Sequence, residues 1–341
     1  LSLTPQSRSQ VVFPSFWLSA MNEEIRLLAG FVSLPIFICN VIGNALVIAV
    51  VKMNKKMQCP NTYLLSWLAL SDLSFGFIAE TNIYLLANGA KGRLYGTYMF
   101  HTLHSILILT LLSIERYLAI LKPFYYKAKV TKSLVAKLLW IILAFTAIVT
   151  APSYYLLGNG YNMLEVCAKS KLDEIATIGY LAALLVISIT VPGIVMCSCY
   201  TRIIKHVWFS DEAKNAKNKA LLRSRWKLTK IFIAATIVFA VSWSPSFGKL
   251  SAKSFRCSER FVLYEAIYIL LALLGSTANP IMYSFRCSGF RQAVKELFSK
   301  KCCRKHRINS RKSMPDSVTG RRPRCDQTRQ SDVILLSVRK T

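Results

Sequence analysis

The chain has 341 residues, of which 53% are hydrophobic and 18% are charged, and its formal net charge is +28. A soluble domain of this length carries more charge and confines its apolar residues to periodic faces, so the composition argues against one. The positive charge suggests a nucleic-acid partner, but it lies mostly beside apolar blocks, where basic residues meet anionic lipid, so we expect no nucleic acid.

Seven apolar blocks are each long enough to cross a bilayer, which takes about 20 residues. They cover residues 25–52, 62–87, 94–121, 134–157, 175–204, 227–250 and 260–285. The sequence therefore predicts an all-α membrane protein, with a seven-transmembrane helix bundle at residues 25–285. We number the spans one to seven.

Most Lys and Arg residues fall on one side of the membrane if the spans alternate. They concentrate in residues 52–56, 122–137, 202–230 and 286–340. By the positive-inside rule this side is cytoplasmic, which places residues 1–24 outside. The sequence thus predicts a multi-pass plasma-membrane protein with an extracellular N-terminus and a cytoplasmic C-terminus.

Polar side chains interrupt the first three spans. Asn44 lies in the first, Asp72 and Glu80 lie in the second, and Glu115-Arg116 ends the third. A charge within the bilayer is costly, so such groups face the bundle interior and mark functional hypotheses. The alternative for Arg116 is that it only marks where a helix leaves the bilayer.

A series of short motifs follows the spans in order. They are Asn44; Asp72; Glu115-Arg116-Tyr117; Trp140; Pro192 with Tyr200; Phe239 with Ser242-Trp243-Ser244-Pro245; and Asn279-Pro280-Ile281-Met282-Tyr283, followed by Phe290. In this combination the chain resembles the rhodopsin-like (class A) G-protein-coupled receptors. The resemblance implies a receptor that binds an extracellular ligand, activates a heterotrimeric G protein by movement of the sixth helix, and is bound by arrestin.

The resemblance implies a switch at the cytoplasmic ends of the spans. Its residues would be Glu115, Arg116, Tyr117, Tyr200 and Tyr283. Arg116 is expected to pair with Glu115 in the inactive receptor and to turn towards the last two tyrosines in the active one. Relatives often add an acid on the sixth span, where this chain has Arg225. We therefore expect Glu115 to hold Arg116 alone, and measurable signalling without ligand.

Between this switch and the ligand, the resemblance implies a set of transmission residues. These are Ile106, Pro192, Phe239, Trp243, Pro245, Asn279 and Pro280. Each proline removes a backbone hydrogen bond and kinks its helix, which allows the inner end of the sixth span to swing.

A sodium site is implied at the positions that hold this ion in relatives. They are Asp72, Ser105, Ser276 and Asn279. Carboxylate, hydroxyl and amide oxygens suit a hard cation. We expect an allosteric sodium ion and no other cofactor; the alternative is a water-filled cluster around a protonated Asp72.

The outward-facing residues favour a peptide ligand. Amine receptors have an aspartate where this chain has Tyr98, and opsins have a lysine where it has Leu273. The candidate ligand contacts are Glu80, Asn82, Tyr98, His101, Thr102, Phe247, Glu265 and Tyr268. This mixture of acids and aromatic residues suits a neuropeptide, although His101 is equally an interior histidine. The alternative is a lipid or another small molecule.

Two cysteines, Cys167 and Cys257, fall in predicted outer loops, where a disulfide could persist. The sequence leaves open whether they pair. Relatives usually bond the second outer loop to a cysteine at the outer end of the third span, but this chain has Lys91 there.

The C-terminal region continues the resemblance. Residues 286–303 predict a short amphipathic eighth helix on the membrane surface, with Cys302-Cys303 as a palmitoylation site or as free thiols. Residues 304–341 are polar, basic and rich in serine, which predicts a disordered cytoplasmic tail for arrestin.

Other functions fit less well. A transporter or channel with seven spans would show repeated halves or a line of polar residues through the bundle, and neither is present. An enzyme would need a nucleophile–base pair, a metal cluster or a phosphate-binding loop, and we expect no enzyme activity.

Overall fold

A computed structural model describes residues 15–54, 58–88, 95–158, 179–180, 182–184, 186–209, 216–251, 261–286, 290–295 and 297. The predictions for Cys167, Cys257, Cys302, Cys303, Lys91 and residues 304–341 therefore lie outside the described residues. Within the helices, the side chains of Arg225, Pro245, Phe247, Glu265 and Tyr283 are also not described.

The regular secondary structure in these ranges is helical. The helices are α1 (Ser15–Met53), α2 (Pro60–Ala87), α3 (Tyr95–Leu121), α4 (Pro123–Lys129), α5 (Lys132–Gly158), α6 (Val191–Phe209), α7 (Ala216–Ser251) and α8 (Phe261–Arg286). Spans one to three are α1–α3, and spans four to seven are α5–α8, so the prediction of an all-α bundle is confirmed. The short helix α4 was not predicted.

The helices α1 and α7 begin well before their apolar blocks. α1 begins at Ser15 and α7 at Ala216, whereas the blocks begin at residues 25 and 227. Hydropathy reports how much of a segment suits lipid, while a helix continues as long as its backbone hydrogen bonds do.

Five described helical segments are long and apolar enough to cross a membrane. They are Leu27–Met53, Pro60–Leu85, Gly96–Leu121, Lys132–Tyr154 and Ala182–Phe209. The described apolar parts of α7 and α8 are shorter, at Thr229–Ser244 and Ala266–Met282. Large apolar side chains also cover the outside of the bundle, with Phe31 78% and Ile148 74% exposed. Side chains of this kind are mostly inside soluble proteins, so this surface suits lipid.

Helix α3 is the centre of the bundle. It packs against α2, α5, α6 and α7, while α1 packs against α2 and α8. One buried apolar cluster, which includes Leu112, Ile203 and Phe232, fills the half of the bundle around Arg116. A second cluster, around Tyr98 and Trp243, fills the opposite half. The two halves are called the Arg116 end and the Trp243 end below.

Two features explain how proline-containing helices fit the bundle. A π-helical turn, Val186–Thr190, leads directly into α6, where Pro192 is buried. On α8, Pro280 faces Gly43 of α1 so closely that a Cβ at position 43 would lie 2.9 Å from the proline Cβ. Small residues allow this approach of helix backbones in membranes.

Residues 290–295, within the predicted surface helix, are helical. Phe290 and Ala293 are buried in the same cluster as Leu112, whereas Arg291 and Lys295 are exposed. One face of this segment therefore packs on apolar side chains and the other is basic.

Candidate functional site

The charge pair that ends α3 is buried and closed on itself. Arg116 is 6% and Glu115 3% exposed. Arg116 Nε donates to Glu115 Oε2 and Nη2 donates to Oε1, each at 2.6 Å. Consecutive residues do not face each other on a helix, so the arginine side chain must fold back across the helix surface to make this two-point contact. The pairing compensates for burying both charges.

A tyrosine of α4 completes the hydrogen bonding of this pair. Tyr126 donates its hydroxyl to Glu115 Oε1 at 2.5 Å. Burial, together with the nearby Glu115 carboxylate, raises the pKa of Tyr126 above its ordinary value, so the hydroxyl keeps its proton and remains a donor. Sequence reasoning expected Glu115 to hold Arg116 alone and missed Tyr126. No local pattern marks it, because it lies eleven residues after Glu115, on another helix.

On the other side of the arginine, α7 supplies an aromatic ring. The Arg116 guanidinium carbon lies over Phe232, 5.7 Å from the ring centroid. A cation over an aromatic face is attracted by the ring quadrupole. Phe232 is 2% exposed, so this contact connects α3 to α7 inside the protein. Phe232 was also missed, since an apolar residue in an apolar span carries no distinguishing signal.

Tyr200 links three helices one turn deeper in the bundle. Its hydroxyl oxygen on α6 lies 2.8 Å from Ser113 Oγ of α3 and 3.4 Å from Thr236 Oγ1 of α7. Tyr117 is partly buried and packs against the apolar cluster that includes Leu112. Four of the five predicted switch residues therefore lie at the Arg116 end, namely Glu115, Arg116, Tyr117 and Tyr200. The side chain of the fifth, Tyr283, is not described.

A second polar group surrounds Asp72. Asn279 of α8 donates its Nδ2 to Asp72 Oδ2 at 2.8 Å, and the Ser276 hydroxyl lies beside the same carboxyl. Ser105 is buried in this region, but its Oγ lies 3.1 Å from Ser71 Oγ, and this contact accounts for its hydrogen bonding. Ser71 also lies 3.1 Å from His104 Nδ1. Of the four predicted sodium residues, Asp72, Ser276 and Asn279 thus lie together. Ser105 contacts Ser71, which precedes Asp72 in the sequence.

The donor set at Asp72 restricts what it could bind. Within the described ranges, no three His, Cys, Asp or Glu side chains come together in a way that would hold a metal ion. An ion at Asp72 would therefore have one carboxylate and otherwise neutral oxygens as ligands. This favours a weakly held, hard, monovalent ion.

An aromatic cluster from four helices fills the Trp243 end. The ring of Trp243 lies 5.2 Å from Phe75, 5.8 Å from Phe239 and 6.1 Å from Tyr268, between centroids. Tyr98 lies 5.6 Å from Phe75 and 5.7 Å from Tyr268. Phe75 was missed, although it is the ring that joins α2 to the predicted transmission residue Trp243. Movement of the Trp243 ring would therefore be felt on α2, α3 and α8 together.

The predicted ligand contacts with described side chains lie on the inner face of this end. Tyr98, His101, Thr102, Asn82 and Tyr268 are all buried. Thr102 Oγ1 donates to the Tyr98 carbonyl at 2.7 Å, and the His101 ring lies 5.9 Å from Phe75. The Glu80 carboxyl lies beside Ser33 of α1. Phe247 and Glu265 belong to α7 and α8.

Three further predicted transmission residues pack inside the bundle. Ile106 of α3 is buried in the cluster of the Arg116 end, Pro192 of α6 is buried, and Phe239 of α7 packs against both apolar clusters. The aromatic contact of Phe239 with Trp243 continues this packing into the Trp243 end. Side-chain packing along α7 therefore connects the aromatic cluster with the apolar cluster that contains Phe232.

Comparison with known proteins places this geometry in context. Residues 43–283 match the family described as 7 transmembrane receptor (rhodopsin family). The chain is 26% identical to neuromedin-U receptor 1 of Homo sapiens, over 82% of this chain and 75% of that receptor. It is also 26% identical to galanin receptor 2b of Danio rerio, over 77% and 73%. It is 27% identical to the histamine H2 receptor of Homo sapiens, over 82% and 80%.

Proposed function

Because the chain belongs to the rhodopsin family of seven-transmembrane receptors, we propose that it binds an extracellular peptide and activates a heterotrimeric G protein. In this proposal the N-terminus is extracellular, and the Arg116 end faces the cytoplasm of the cell. The basic segments at residues 52–56 and 122–137 support this orientation. The receptor acts by binding and movement rather than as an enzyme.

The observation that carries the proposal is the position of Arg116. Its guanidinium is held between the Glu115 carboxylate on its own helix and the ring of Phe232 on α7. Outward movement of the Arg116 end of α7 would remove the ring and open a space beside α3. A G protein would enter that space, and Arg116 would turn towards Tyr200 and Tyr283.

Activation would begin at the Trp243 end. A ligand that displaces Tyr98 or Tyr268 shifts the rings packed on Trp243, and the Trp243–Phe239 contact passes the change along α7. Arrestin would bind the activated receptor, aided by phosphorylation of the C-terminal region. Membrane lipid would contact the exposed apolar surface and an acyl chain on Cys302 or Cys303.

A peptide ligand is favoured by two considerations. Tyr98 stands where amine receptors have a carboxylate, and relatives named for neuromedin-U and galanin, both peptides, match the chain over most of its length. A small molecule remains the second candidate, since the histamine H2 receptor matches equally well. The buried aromatic cluster around Trp243 would suit either a peptide side chain or an apolar small molecule.

A ligand screen tests the proposal. The full chain is expressed in cells with a promiscuous G protein, and panels of amidated peptides, amines and lipids are applied. We expect a second-messenger response to a peptide, and loss of this response in Arg116→Ala with surface expression retained. Activation by lipids or amines while all peptides fail would contradict the peptide assignment. A response to no ligand class, with Arg116→Ala also leaving ligand-independent signalling unchanged, would contradict G-protein coupling.

We also propose that Asp72, Ser276 and Asn279 hold an allosteric sodium ion, with Ser105 acting through Ser71. The support is a buried carboxylate with the Ser276 hydroxyl and the Asn279 amide beside it. Asn279 contacts Asp72 through Nδ2 here, and a turn of the amide would present its oxygen to the ion. Sodium would stabilise the inactive receptor, so raising sodium at constant ionic strength should lower ligand-independent signalling. Unchanged signalling across this range would contradict the assignment.

A further inference from the structure

A basic surface lies where α1, α2 and α5 meet at the Arg116 end. Gln58, just before α2, connects the other two helices. Its Nε2 donates to the Lys52 carbonyl of α1 at 3.1 Å, and its Oε1 accepts from Lys132 Nζ of α5 at 3.4 Å. Lys132 Nζ also lies over the Tyr63 ring of α2, 5.3 Å from its centroid. An ammonium has three N–H donors and Gln58 uses one, so Lys132 is held in place and keeps donors for a further partner.

The positive charge of this surface is not balanced by an exposed carboxylate of the described ranges. Lys52 and Lys132 are exposed, and so is Lys129, which ends α4 three residues before Lys132. Among the described residues, Glu115 is the one carboxylate at this end of the bundle, and it is 3% exposed and paired with Arg116. These lysines therefore suit an anionic partner from outside the chain.

The same surface lies at the boundary of the membrane-spanning segments. The segment of α1 that is apolar enough to span a membrane ends at Met53, that of α2 begins at Pro60, and that of α5 begins at Lys132. Lys52 and Gln58 are each within two residues of such an end. Polar and basic side chains at the ends of spans meet the lipid headgroups, so the partner within reach of Lys132 is a headgroup.

An apolar notch continues from Lys132 into the membrane. Lys132, Ala136 and Trp140 follow at intervals of four residues along α5, so they lie on one side of the helix. This side runs beside α2, because Lys132 contacts Tyr63 and the Trp140 ring lies 5.3 Å from that of Trp67. Ala136 contributes only a methyl group between the two larger side chains. Trp140 is 60% exposed and lies about 12 Å deeper than Lys132. A positive charge followed by an apolar notch matches the shape and polarity of a phospholipid.

We propose that Lys132, Ala136 and Trp140 bind an anionic phospholipid of the cytoplasmic leaflet, at a place that we call the α2–α5 lipid site. The phosphate contacts Lys132 Nζ, with Lys52 and Lys129 adding attraction, and one acyl chain lies over Ala136 against the Trp140 ring. The charge decides against a sterol, which would fill the notch but leave the lysines without a counter-ion. The inference rests on the proposed orientation of the chain. Because it depends on neither the peptide ligand nor G-protein coupling, its failure would leave the proposed signalling untouched.

Quenching of tryptophan fluorescence by brominated lipid tests the site. The purified full-length protein is placed in phosphatidylcholine vesicles that contain, as a minor component, either dibrominated phosphatidylserine or dibrominated phosphatidylcholine. The contribution of Trp140 is the quenching that is lost in Trp140→Phe. This contribution should show about a fivefold preference for the serine lipid, the effect of about one lysine at a membrane surface. Lys132→Gln should abolish the preference. Ala136→Leu keeps every lysine but fills the notch, so it should abolish the preference as well.

A matched control is Lys205→Gln, because Lys205 is an exposed lysine of α6 at the same end of the bundle. It removes the same charge away from the α2–α5 lipid site and should leave the preference unchanged. The proposal is overturned if the wild type shows no preference, if the Lys205 and Lys132 variants lose it equally, or if Ala136→Leu retains it. Relief of the quenching by unlabelled cholesterol, but not by unlabelled phosphatidylserine, would identify a sterol and also overturn it. If Trp140→Phe does not fold, total quenching of the two lysine variants gives the same comparison, and equal values would overturn the proposal.

Discussion

The Arg116 guanidinium of α3 stands over the Phe232 ring of α7, with 5.7 Å between its central carbon and the ring centroid. In the proposed receptor, this contact would restrain α7, the helix that we expect to move. It would do so without the acid that the resemblance leads one to expect on this helix, where the chain has Arg225.

Replacing Phe232 with leucine should raise ligand-independent signalling. Leucine keeps most of the apolar volume but removes the aromatic face, which contributes about 0.5–2 kcal/mol to such a contact. The ratio of active to inactive receptor should rise by about twofold to thirtyfold. The measurement is second-messenger accumulation without ligand, normalised to surface expression. Ile237→Ala, at an exposed position of α7, is the control, and equal basal signalling in both variants would refute the role of the ring.

Tyr126→Phe should also raise ligand-independent signalling. The substitution removes one donor from Glu115 while the two contacts from Arg116 remain. A hydrogen bond to a charged group contributes about 1.5–3 kcal/mol, and less here because Tyr126 is partly exposed. Tyr125 precedes it, is 54% exposed and provides the matched control Tyr125→Phe. The hypothesis fails if the two phenylalanine variants signal alike.

The raised pKa of Tyr126 predicts a pH dependence of stability. A tyrosine whose pKa is higher in the folded protein contributes stability that is fully present below its ordinary value of about 10 and is lost as pH rises above it. The wild type should therefore lose more thermal stability than Tyr126→Phe between pH 9 and 11, and the two should run parallel between about pH 6 and 8. Melting curves of both proteins in detergent across this range provide the test. Parallel curves up to pH 11 would mean that the hydroxyl is not held by Glu115.

Ser276→Ala and Ser105→Ala should differ in their effect on sodium sensitivity. Ser276 lies beside the Asp72 carboxyl, whereas Ser105 contacts Ser71, which keeps His104 as a second partner. Losing a direct oxygen ligand should weaken sodium binding by about tenfold, equivalent to about 1.4 kcal/mol. Losing Ser105 should weaken it by less than about threefold. Titrating sodium against ligand-independent signalling measures both, and a larger effect of Ser105→Ala would reverse the assignment.

Much of the fold was accessible from sequence because lipid selects composition strongly. Apolar blocks identified the spans, and buried charges such as Asp72 and Arg116 stood out, since a charge is expensive in lipid. The helix ends were less accessible. Ser15 and Ala216 begin helices outside the apolar blocks, where composition no longer distinguishes a helix from a loop.

The partners of the charged residues could not be predicted in the same way. Phe232, Phe75 and Tyr126 meet Arg116, Trp243 and Glu115 across different helices, so their roles depend on how the helices are rotated and packed. Nothing in an apolar run distinguishes one phenylalanine from the next. Ser105 shows the same limit, because a rotation about α3 decides whether its hydroxyl meets Asp72 or Ser71.

The contact between Gly43 and Pro280 has a consequence for how α8 can move. The proline interrupts the hydrogen bonding of α8 at the level where the helix is pressed against α1, so the flexible point of α8 is fixed in position. The half of α8 that carries Tyr268 and the half that ends at Arg286 can then tilt by different amounts about that point. A ligand that displaces Tyr268 would therefore bend α8 at its contact with α1 rather than slide the whole helix.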